Sequence, residues 1–361
     1  MMHFEPIRYM QWYKTRPHTR YSLARSGVEP RTLDQVDLAW EDLELSGTDY
    51  YGYPPLLEQI AARYGVDPQN IVSTLGTSGA LFLICAALLS EGDRVVVETP
   101  VYETVTALPQ ACGAEIALIE RRFENGWQID PEEFAAAVTP GTKMVLLTNL
   151  HNPTGAQLPE ERLAEFAAFC ADRGAWLVID EVYREFPDEL IGTTSFGIAP
   201  SVITCSSLCK VWGLGDLRCG WILAPDELIG LLRAAVDHVF VEHAFVAERI
   251  AAALFGRLDA LRAERREQTA RNRALVTAFI ESRPELSWVP PADGVVAFPR
   301  LADGLSADEL TQRLARDHDT ELTPGSHFAA PRHLRLGFGG PTEELEIALG
   351  YVGRALDDLK G

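Results

Sequence analysis

Short, nearly continuous apolar runs alternate with longer amphipathic segments through the middle of the chain. The apolar runs cover residues 94–98, 143–148, 176–180 and 202–206, and such runs are typical of strands that are buried on both faces. Between the second and third runs, Leu163, Phe166 and Cys170 recur at three- and four-residue spacing, which predicts a helix over 158–173. This alternation of strand and helix predicts a mostly parallel sheet with helices on its faces.

The pattern changes after about residue 246. Residues 246–283 are predicted to form one long helix that ends before a proline. Short apolar runs and two further helices follow, the last of them beginning at Thr342. We therefore predict two domains: a large α/β domain over 45–250, and a smaller α+β domain built from both termini, 1–44 and 251–361.

Composition narrows the possible partners. The 361 residues are 47% hydrophobic and carry a formal net charge of −20, which disfavours nucleic acids and anionic membrane surfaces as ligands. The longest apolar run, 80–89, is about half of the ~20 residues that a membrane-spanning helix needs. No signal-peptide pattern is present, and the six cysteines form no CxxC pair and no metal-like spacing with histidine. These features predict a cytoplasmic protein with buried free thiols and no metal site.

Polar and aromatic side chains follow each of the four predicted strands. Tyr102 follows the first strand, Asn152 the second, Asp180 and Tyr183 the third, and Lys210 the fourth. Ligands of open α/β sheets bind in the crevice beyond the carboxyl ends of the strands. The sequence therefore predicts that these side chains converge on one site.

Lys210 is the most informative of these residues. It is one of only four lysines among 32 basic residues, and it lies between Leu208 and Val211 in an apolar segment. We expect partial burial to lower the pKa of its amine and leave a neutral nucleophile suited to Schiff-base chemistry. The alternative is a lysine whose charged end extends to the solvent along an apolar stem.

A Gly-Thr-Ser-Gly turn at 76–79 precedes a predicted apolar helix. Backbone amides at a helix N-terminus, together with the hydroxyls of Thr77 and Ser78, can hold an anion. The turn matches neither the P-loop nor the dinucleotide-binding fingerprint, which disfavours a dinucleotide-dependent dehydrogenase. An amine, a carboxylate, a phenol, an amide, an aromatic face and a phosphate cradle together suit pyridoxal 5′-phosphate (PLP).

Five motifs occur in the order found in one known family: Asn152-Pro-Thr-Gly155, Asp180-x-x-Tyr183, Ser207-x-x-Lys210, Arg218, and Arg335-Leu-Gly-Phe. From about residue 51 to its end, the chain resembles the class I/II aminotransferases, the aspartate-aminotransferase-like enzymes of PLP fold type I. The resemblance implies that fold, PLP as cofactor, an amino acid and a 2-oxo acid as substrates, and a homodimer with shared active sites.

The resemblance also implies a role for each matching residue. Lys210 would hold PLP as a Schiff base and move the proton, and Asp180 would hold the protonated ring nitrogen. The remaining cofactor contacts would be Tyr183 and Asn152 at the ring 3′ oxygen, Tyr102 on the ring face, and Thr77, Ser78, Ser207 and Arg218 at the phosphate.

Substrate contacts follow from the same resemblance. Arg335, assisted by Asn152, would bind the α-carboxylate, and Gly27 would border the substrate. Tyr51, or its neighbour Tyr50, would reach the cofactor phosphate of the partner subunit. Arg335 could instead be an exposed strand arginine, and Arg218 could pair with Asp216 at the surface.

The predicted function is a PLP-dependent aminotransferase that works through a Schiff base on Lys210. The alternative is a PLP-dependent amino-acid lyase, β-replacement or cyclising enzyme of the same fold, because one set of groups serves all these reactions. A non-catalytic protein that retains the fold is a further alternative, disfavoured by the presence of Lys210.

Overall fold

A computed structural model describes residues 2–47 and 51–359 of the chain. Within these ranges the helices are α1 (Arg8–Thr15), α2 (Pro54–Tyr64), α3 (Gly76–Leu88), α4 (Glu103–Ala111), α5 (Pro131–Ala137), α6 (Glu160–Asp172), α7 (Asp226–Val239), α8 (Phe245–Phe255), α9 (Leu258–Glu281), α10 (Ala307–His318) and α11 (Thr342–Asp358). The strands are β1 (Tyr21–Ser22), β2 (Ile71–Leu75), β3 (Arg94–Thr99), β4 (Glu115–Glu120), β5 (Thr142–Thr148), β6 (Trp176–Asp180), β7 (Val202–Ser207), β8 (Cys219–Leu223), β9 (Leu286–Ser287), β10 (Val296–Ala297), β11 (Arg300–Leu301), β12 (Thr320–Glu321), β13 (Thr323–Pro324) and β14 (Leu334–Gly337).

A seven-stranded sheet forms the centre of the molecule, with strand order β2-β8-β7-β6-β5-β3-β4. The five strands from β7 to β4 are parallel, whereas β8 runs antiparallel to both of its neighbours. The four predicted strands are confirmed as β3, β5, β6 and β7, and they are adjacent in the sheet. Their carboxyl ends therefore lie along one edge, which is the requirement for a shared site.

Helices cover both faces of this sheet, as the alternating pattern predicted. On one face, α3 and α7 pack against side chains such as Val97 and Ile203. On the other face, Leu163, Phe166 and Cys170 of α6 pack against Leu177 and its neighbours. Two separate hydrophobic cores result, because alternate residues of each central strand point to opposite faces of the sheet.

The long helix predicted over 246–283 is wrong as a single element. The structure has α8 and α9 in its place, separated at Gly256 and Arg257. Apart from proline, glycine is the weakest helix former, and the break lets the two helices pack in different directions. The last helix begins at Thr342, as predicted.

Segments from the N-terminal and C-terminal parts of the chain pair in the remaining α+β part of the molecule. Strand β1 pairs in parallel with β12, so that Tyr21 lies opposite Thr320. Three short strands form the sheet β10-β14-β13 nearby. Within the described ranges, no helix combines the length and apolar character that spanning a bilayer requires.

Candidate functional site

A cavity of about 580 Å³ opens at the carboxyl ends of the central strands. The side chains that follow successive strands line it together: Tyr102 after β3, Asn152 after β5, Asp180 at the end of β6, and Lys210 after β7. The structure thus places the residues that follow the strands around one space, where parallel strand ends converge.

Lys210 reaches the cavity from the turn after β7. Its Nζ donates a hydrogen bond to the Oγ of Ser26 at 2.9 Å, and its backbone oxygen accepts one from the amide of Val28 at 3.0 Å. Gly27 lies between these two contacts and lines the cavity. A Cβ on Gly27 would lie 3.0 Å from the Cα of Lys210, so this close approach of two backbones favours glycine.

The prediction that the pKa of the Lys210 amine is lowered is wrong. Burial on its own lowers the pKa of this amine, but the thiol of Cys209 and the phenols of Tyr183, Tyr9 and Tyr102 act in the opposite direction and leave the pKa raised. Three of these four side chains belong to other segments of the chain, so burial inferred from the residues next to Lys210 was not enough to predict the direction of its pKa shift.

Asp180 ends β6 as a carboxylate almost removed from solvent. Its Oδ1 accepts a hydrogen bond from the amide of Val182 at 3.0 Å, and burial raises its pKa to about 7. Burial likewise raises the pKa of Tyr183, although a hydrogen bond with the Ser26 side chain acts in the opposite direction. A buried carboxylate and a buried phenol of this kind are suited to a polar ligand within the cavity.

An anion cradle is formed where β2 meets α3. The Oγ1 of Thr77 donates to the Oγ of Ser207 at 2.9 Å. Arg218 has a left-handed φ of 52° and donates from Nη1 to the oxygen of Gly215 at 2.9 Å. Gly76 has a φ of +72°, and a Cβ there would lie 2.5 Å from Nη2 of Arg218. Glycine thus lets the guanidinium approach the helix N-terminus, where backbone amides attract an anion.

Arg335 lies behind the cavity and has no exposed surface. Its Nη1 donates to Oδ1 of Asn152 at 3.3 Å, and its Nη2 donates to the hydroxyl of Tyr9 at 2.9 Å and to the oxygen of Ala24 at 2.7 Å. Its Nε has no partner among the described residues, and no carboxylate of the described chain pairs with it. A buried guanidinium without a carboxylate is suited to an anionic ligand.

The sequence left open whether Arg335 and Arg218 are surface arginines. Arg335 is fully buried, so its interpretation as an exposed strand arginine is wrong. Arg218 is exposed, but its guanidinium bonds to the backbone oxygens of Gly215 and Leu75 at 2.9 and 3.2 Å. It lies on the cavity wall beside Ser78 and Asp216.

Tyr51 is not brought into this cavity. It is 42% exposed, its hydroxyl lies 3.4 Å from Oδ2 of Asp237, and the guanidinium of Arg233 stacks on its ring. Tyr50, the other candidate for contacting the partner subunit, lies outside the described residues. Within one chain, Tyr51 therefore has no contact with the side chains that surround Lys210.

Helix α1 forms one wall of the cavity, which the sequence did not predict. Tyr9, Met10, Tyr13 and Lys14 of this helix all line the cavity, and the hydroxyl of Tyr102 donates to the sulfur of Met10 at 3.0 Å. The one available signal was the four-residue spacing of the two tyrosines, which places them on one helix face. Eight residues were too few for that spacing to predict a helix.

Comparisons with known proteins agree with this geometry. The family model described as "Aminotransferase class I and II" matches residues 42–352. The arginine–pyruvate transaminase AruH of Pseudomonas aeruginosa is 32% identical over 337 residues, covering 89% of this chain and 86% of that protein. Capreomycidine synthase of Streptomyces vinaceus is 31% identical over 338 residues, covering 91% of this chain and 86% of that protein.

Solved structures show the same fold. A PLP-dependent aminotransferase from Streptococcus suis has a TM-score of 0.89 at 26% identity, covering 97% of each chain. The PLP-dependent cyclase OrfR has a TM-score of 0.90 at 30% identity, covering 99% of this chain and 98% of the cyclase. The predicted PLP fold type I, with its mixed seven-stranded sheet between helices, is confirmed.

Proposed function

Because this chain belongs to the class I and II aminotransferase family, we propose that the side chains around Lys210 form its active site. The chain is a PLP-dependent aminotransferase, which moves an amino group between an amino acid and a 2-oxo acid. The observation that supports the location is the convergence of the Lys210 amine and the Asp180 carboxylate on one cavity, with the unpaired Arg335 guanidinium behind it.

The residues fit PLP at each of its polar groups. When bound, PLP supplies an electron-withdrawing ring that stabilises negative charge at the substrate α-carbon. Lys210 would hold the cofactor and move a proton, and Asp180 would hold the proton of the ring nitrogen. The buried Tyr183 hydroxyl, which lines the cavity, and the Asn152 amide would bind the ring 3′ oxygen, and Tyr102 would cover the ring face.

The anion cradle would bind the cofactor phosphate. Its groups are the amides at the start of α3, the hydroxyls of Thr77, Ser78 and Ser207, and the guanidinium of Arg218. The helix N-terminus and the arginine both carry positive charge toward the same point. This arrangement would fix one end of the cofactor while Lys210 and Asp180 hold the other.

The substrate α-carboxylate would bind at Arg335. A guanidinium presents parallel donors that match the two oxygens of a carboxylate. Asn152 accepts from this guanidinium at 3.3 Å, which fixes its plane. Gly27 would leave room for substrate beside Lys210, because a side chain there would press on the lysine backbone.

We propose L-arginine as the amino donor and pyruvate as the acceptor. AruH, the arginine–pyruvate transaminase, is 32% identical to this chain. The carboxylate of Asp216 lies on the cavity wall without an ion pair among the described residues, and it could accept a guanidinium. Lys14 and Arg25 also line the cavity, and these two cations would instead favour a donor with a second carboxylate.

The test measures alanine formed from pyruvate with L-arginine or L-aspartate as donor. We expect alanine formation with L-arginine, because the cavity carries a free carboxylate for its side chain. Asp216→Asn should raise the KM for L-arginine and leave that for pyruvate unchanged. A faster reaction with L-aspartate would reject L-arginine as the donor, and no alanine with any amino acid would reject pyruvate as the acceptor.

A cyclising reaction is the second candidate. It is supported by the matches to capreomycidine synthase and to the cyclase OrfR, at 31% and 30% identity over nearly the whole chain. A cyclising enzyme keeps the amino nitrogen within its product and needs no 2-oxo acid. Mass spectrometry of the amino acid incubated without pyruvate distinguishes the two candidates.

Further aspects of the proposal concern the assembly. We propose a cytoplasmic homodimer with shared active sites, and two domains divided as 45–250 and the two terminal segments. Exposed Tyr51, Ser78 and Arg218 support the dimer, because a second copy could cover them and contribute Tyr51 to the phosphate. Six free cysteines, five of them buried, support a reducing compartment. Sedimentation velocity at micromolar concentration tests the dimer.

A further inference from the structure

Helix α1 covers the side of the cavity at which Arg335 lies. The backbone amides of Arg8 and Tyr9 donate to the carboxylate of Glu103 at 3.1 and 2.6 Å. Glu103 is the first residue of α4 and directly follows Tyr102. The N-terminus of α1 is therefore held against the N-terminus of α4, and a negative charge at a helix N-terminus stabilises that position.

Tyr9 is the residue of α1 that reaches deepest. It is 5% exposed, and its ring packs edge-on against Tyr102 with centroids 5.4 Å apart. Phe328 packs against the same ring at 5.8 Å. These contacts leave the ring one position, with its hydroxyl 2.9 Å from Nη2 of Arg335.

In its hydrogen bond with Arg335, the Tyr9 hydroxyl acts only as an acceptor. A guanidinium can only donate, so the phenol oxygen is the acceptor and its own proton remains available. Among the described residues, no hydrogen bond has that hydroxyl as its donor. The Nε of Arg335 also has no partner there. Two buried donors of this hydrogen-bonded pair of residues, one of them charged, thus have no acceptor among the described residues.

We infer that Tyr9 is a further substrate-binding residue, whose hydroxyl donates to the α-carboxylate that Arg335 binds. This inference rests on the proposed role of Arg335. A carboxylate has about four lone-pair positions and can accept from both groups at once. The phenol would hold the guanidinium in place before the substrate arrives and then bind the same anion, so helix α1 would take part in substrate recognition.

The variant Tyr9→Phe tests this inference in the holoenzyme, because it keeps the packed ring and removes only the hydroxyl. L-Arginine is the probe, and L-argininamide, which lacks the carboxylate, is its counterpart. We expect the dissociation constant and the KM for L-arginine to rise roughly tenfold, as for the loss of one hydrogen bond to a charged group. The kcat should change less than about twofold, since a uniform loss of binding affects KM. L-Argininamide should bind as before.

Tyr351→Phe is the matched control. Tyr351 lies in α11, where its ring stacks on His318 with centroids 5.0 Å apart, so the variant removes a tyrosine hydroxyl remote from the cavity. It should leave the binding of both probes unchanged. Binding is followed by tryptophan fluorescence, since Trp12 of α1 packs against Tyr9.

Three results would overturn the inference. Equal weakening of both probes in Tyr9→Phe would show that the hydroxyl only supports the helix, and unchanged L-arginine binding would show no contact. Failure of the parent enzyme to bind L-arginine would overturn both the donor and the inference. The variant Arg335→Lys separates the two proposals: unaffected L-arginine binding there would reject Arg335 as the carboxylate site, whereas an effect confined to Arg335→Lys would reject only Tyr9.

Discussion

The buried carboxylate of Asp180 should make the cofactor-free protein less stable as the pH rises. Burial raises its pKa from 3.8 to about 7, so the folded chain holds this proton more tightly than the unfolded chain does. The cost of ionisation begins above the unfolded value, grows as the pH rises toward 7, and is complete above it. The full shift corresponds to about 4 kcal/mol at 1.36 kcal/mol per pKa unit.

The variant Asp180→Asn removes this titration while keeping the shape of the side chain. Relative to the parent apoprotein, it should gain about 2 kcal/mol of unfolding free energy between about pH 5.5 and about pH 8.5. Urea denaturation of both apoproteins at these pH values measures the change. Comparing two pH values cancels any constant effect of the amide itself.

In the holoenzyme, Asp180→Asn should be harmful rather than stabilising. There the ring nitrogen of PLP would give Asp180 a positive partner, so Asp180→Asn should lower kcat and weaken cofactor binding. For the stability measurement on the apoprotein, the control is Asp172→Asn on the exposed side of α6, because the carboxylate of Asp172 is hydrated in both the folded and the unfolded chain. A stability difference between parent and Asp180→Asn that is the same at both pH values would refute the reasoning.

The remaining predictions concern cofactor and substrate binding. The variant Lys210→Ala should be unable to bind PLP covalently. After borohydride reduction, mass spectrometry should show the added mass of the cofactor on the parent chain and none on the variant. Added mass on the variant would show that another amine binds PLP. Arg218→Ala should raise the dissociation constant of PLP roughly tenfold through one lost charged hydrogen bond, measured by equilibrium dialysis, whereas the exposed Arg271→Ala should not. Arg335→Lys should raise the KM for pyruvate roughly tenfold, because an ammonium cannot form the two parallel hydrogen bonds of a guanidinium; a normal KM would place the carboxylate elsewhere.

The central strands and the residues that follow them could be predicted because their signals are local. A run such as 176–180 is apolar on both faces, and Asp180 comes at its end. The edge strand β4 was missed because most of its residues are partly or fully exposed, so it lacks a buried-strand pattern. Strands β2 and β8 carry serine, threonine or glycine, which weakens the same signal.

Contacts between distant segments could not be predicted in this way. Ser26 and Lys210 are 184 residues apart in sequence, and Tyr9 and Arg335 are 326 residues apart. Only the packing of both termini beside the sheet brings these pairs together. The direction of the Lys210 pKa has the same origin, because several of the groups that raise it come from other segments.

One fold can accommodate both transaminases and cyclases because different groups of the cavity would contact the cofactor and the substrate side chain. In the proposed site, groups at the strand ends would hold PLP and the α-carbon substituents, and every reaction that begins by removing the α-proton needs such groups. What happens next depends on the groups that face the substrate side chain. In this chain Met10 and Lys14 of α1 and Asp216 line the cavity and are candidates for that contact. If α1 selects the reaction, exchanging these side chains should alter product distribution while leaving covalent cofactor attachment at Lys210 intact.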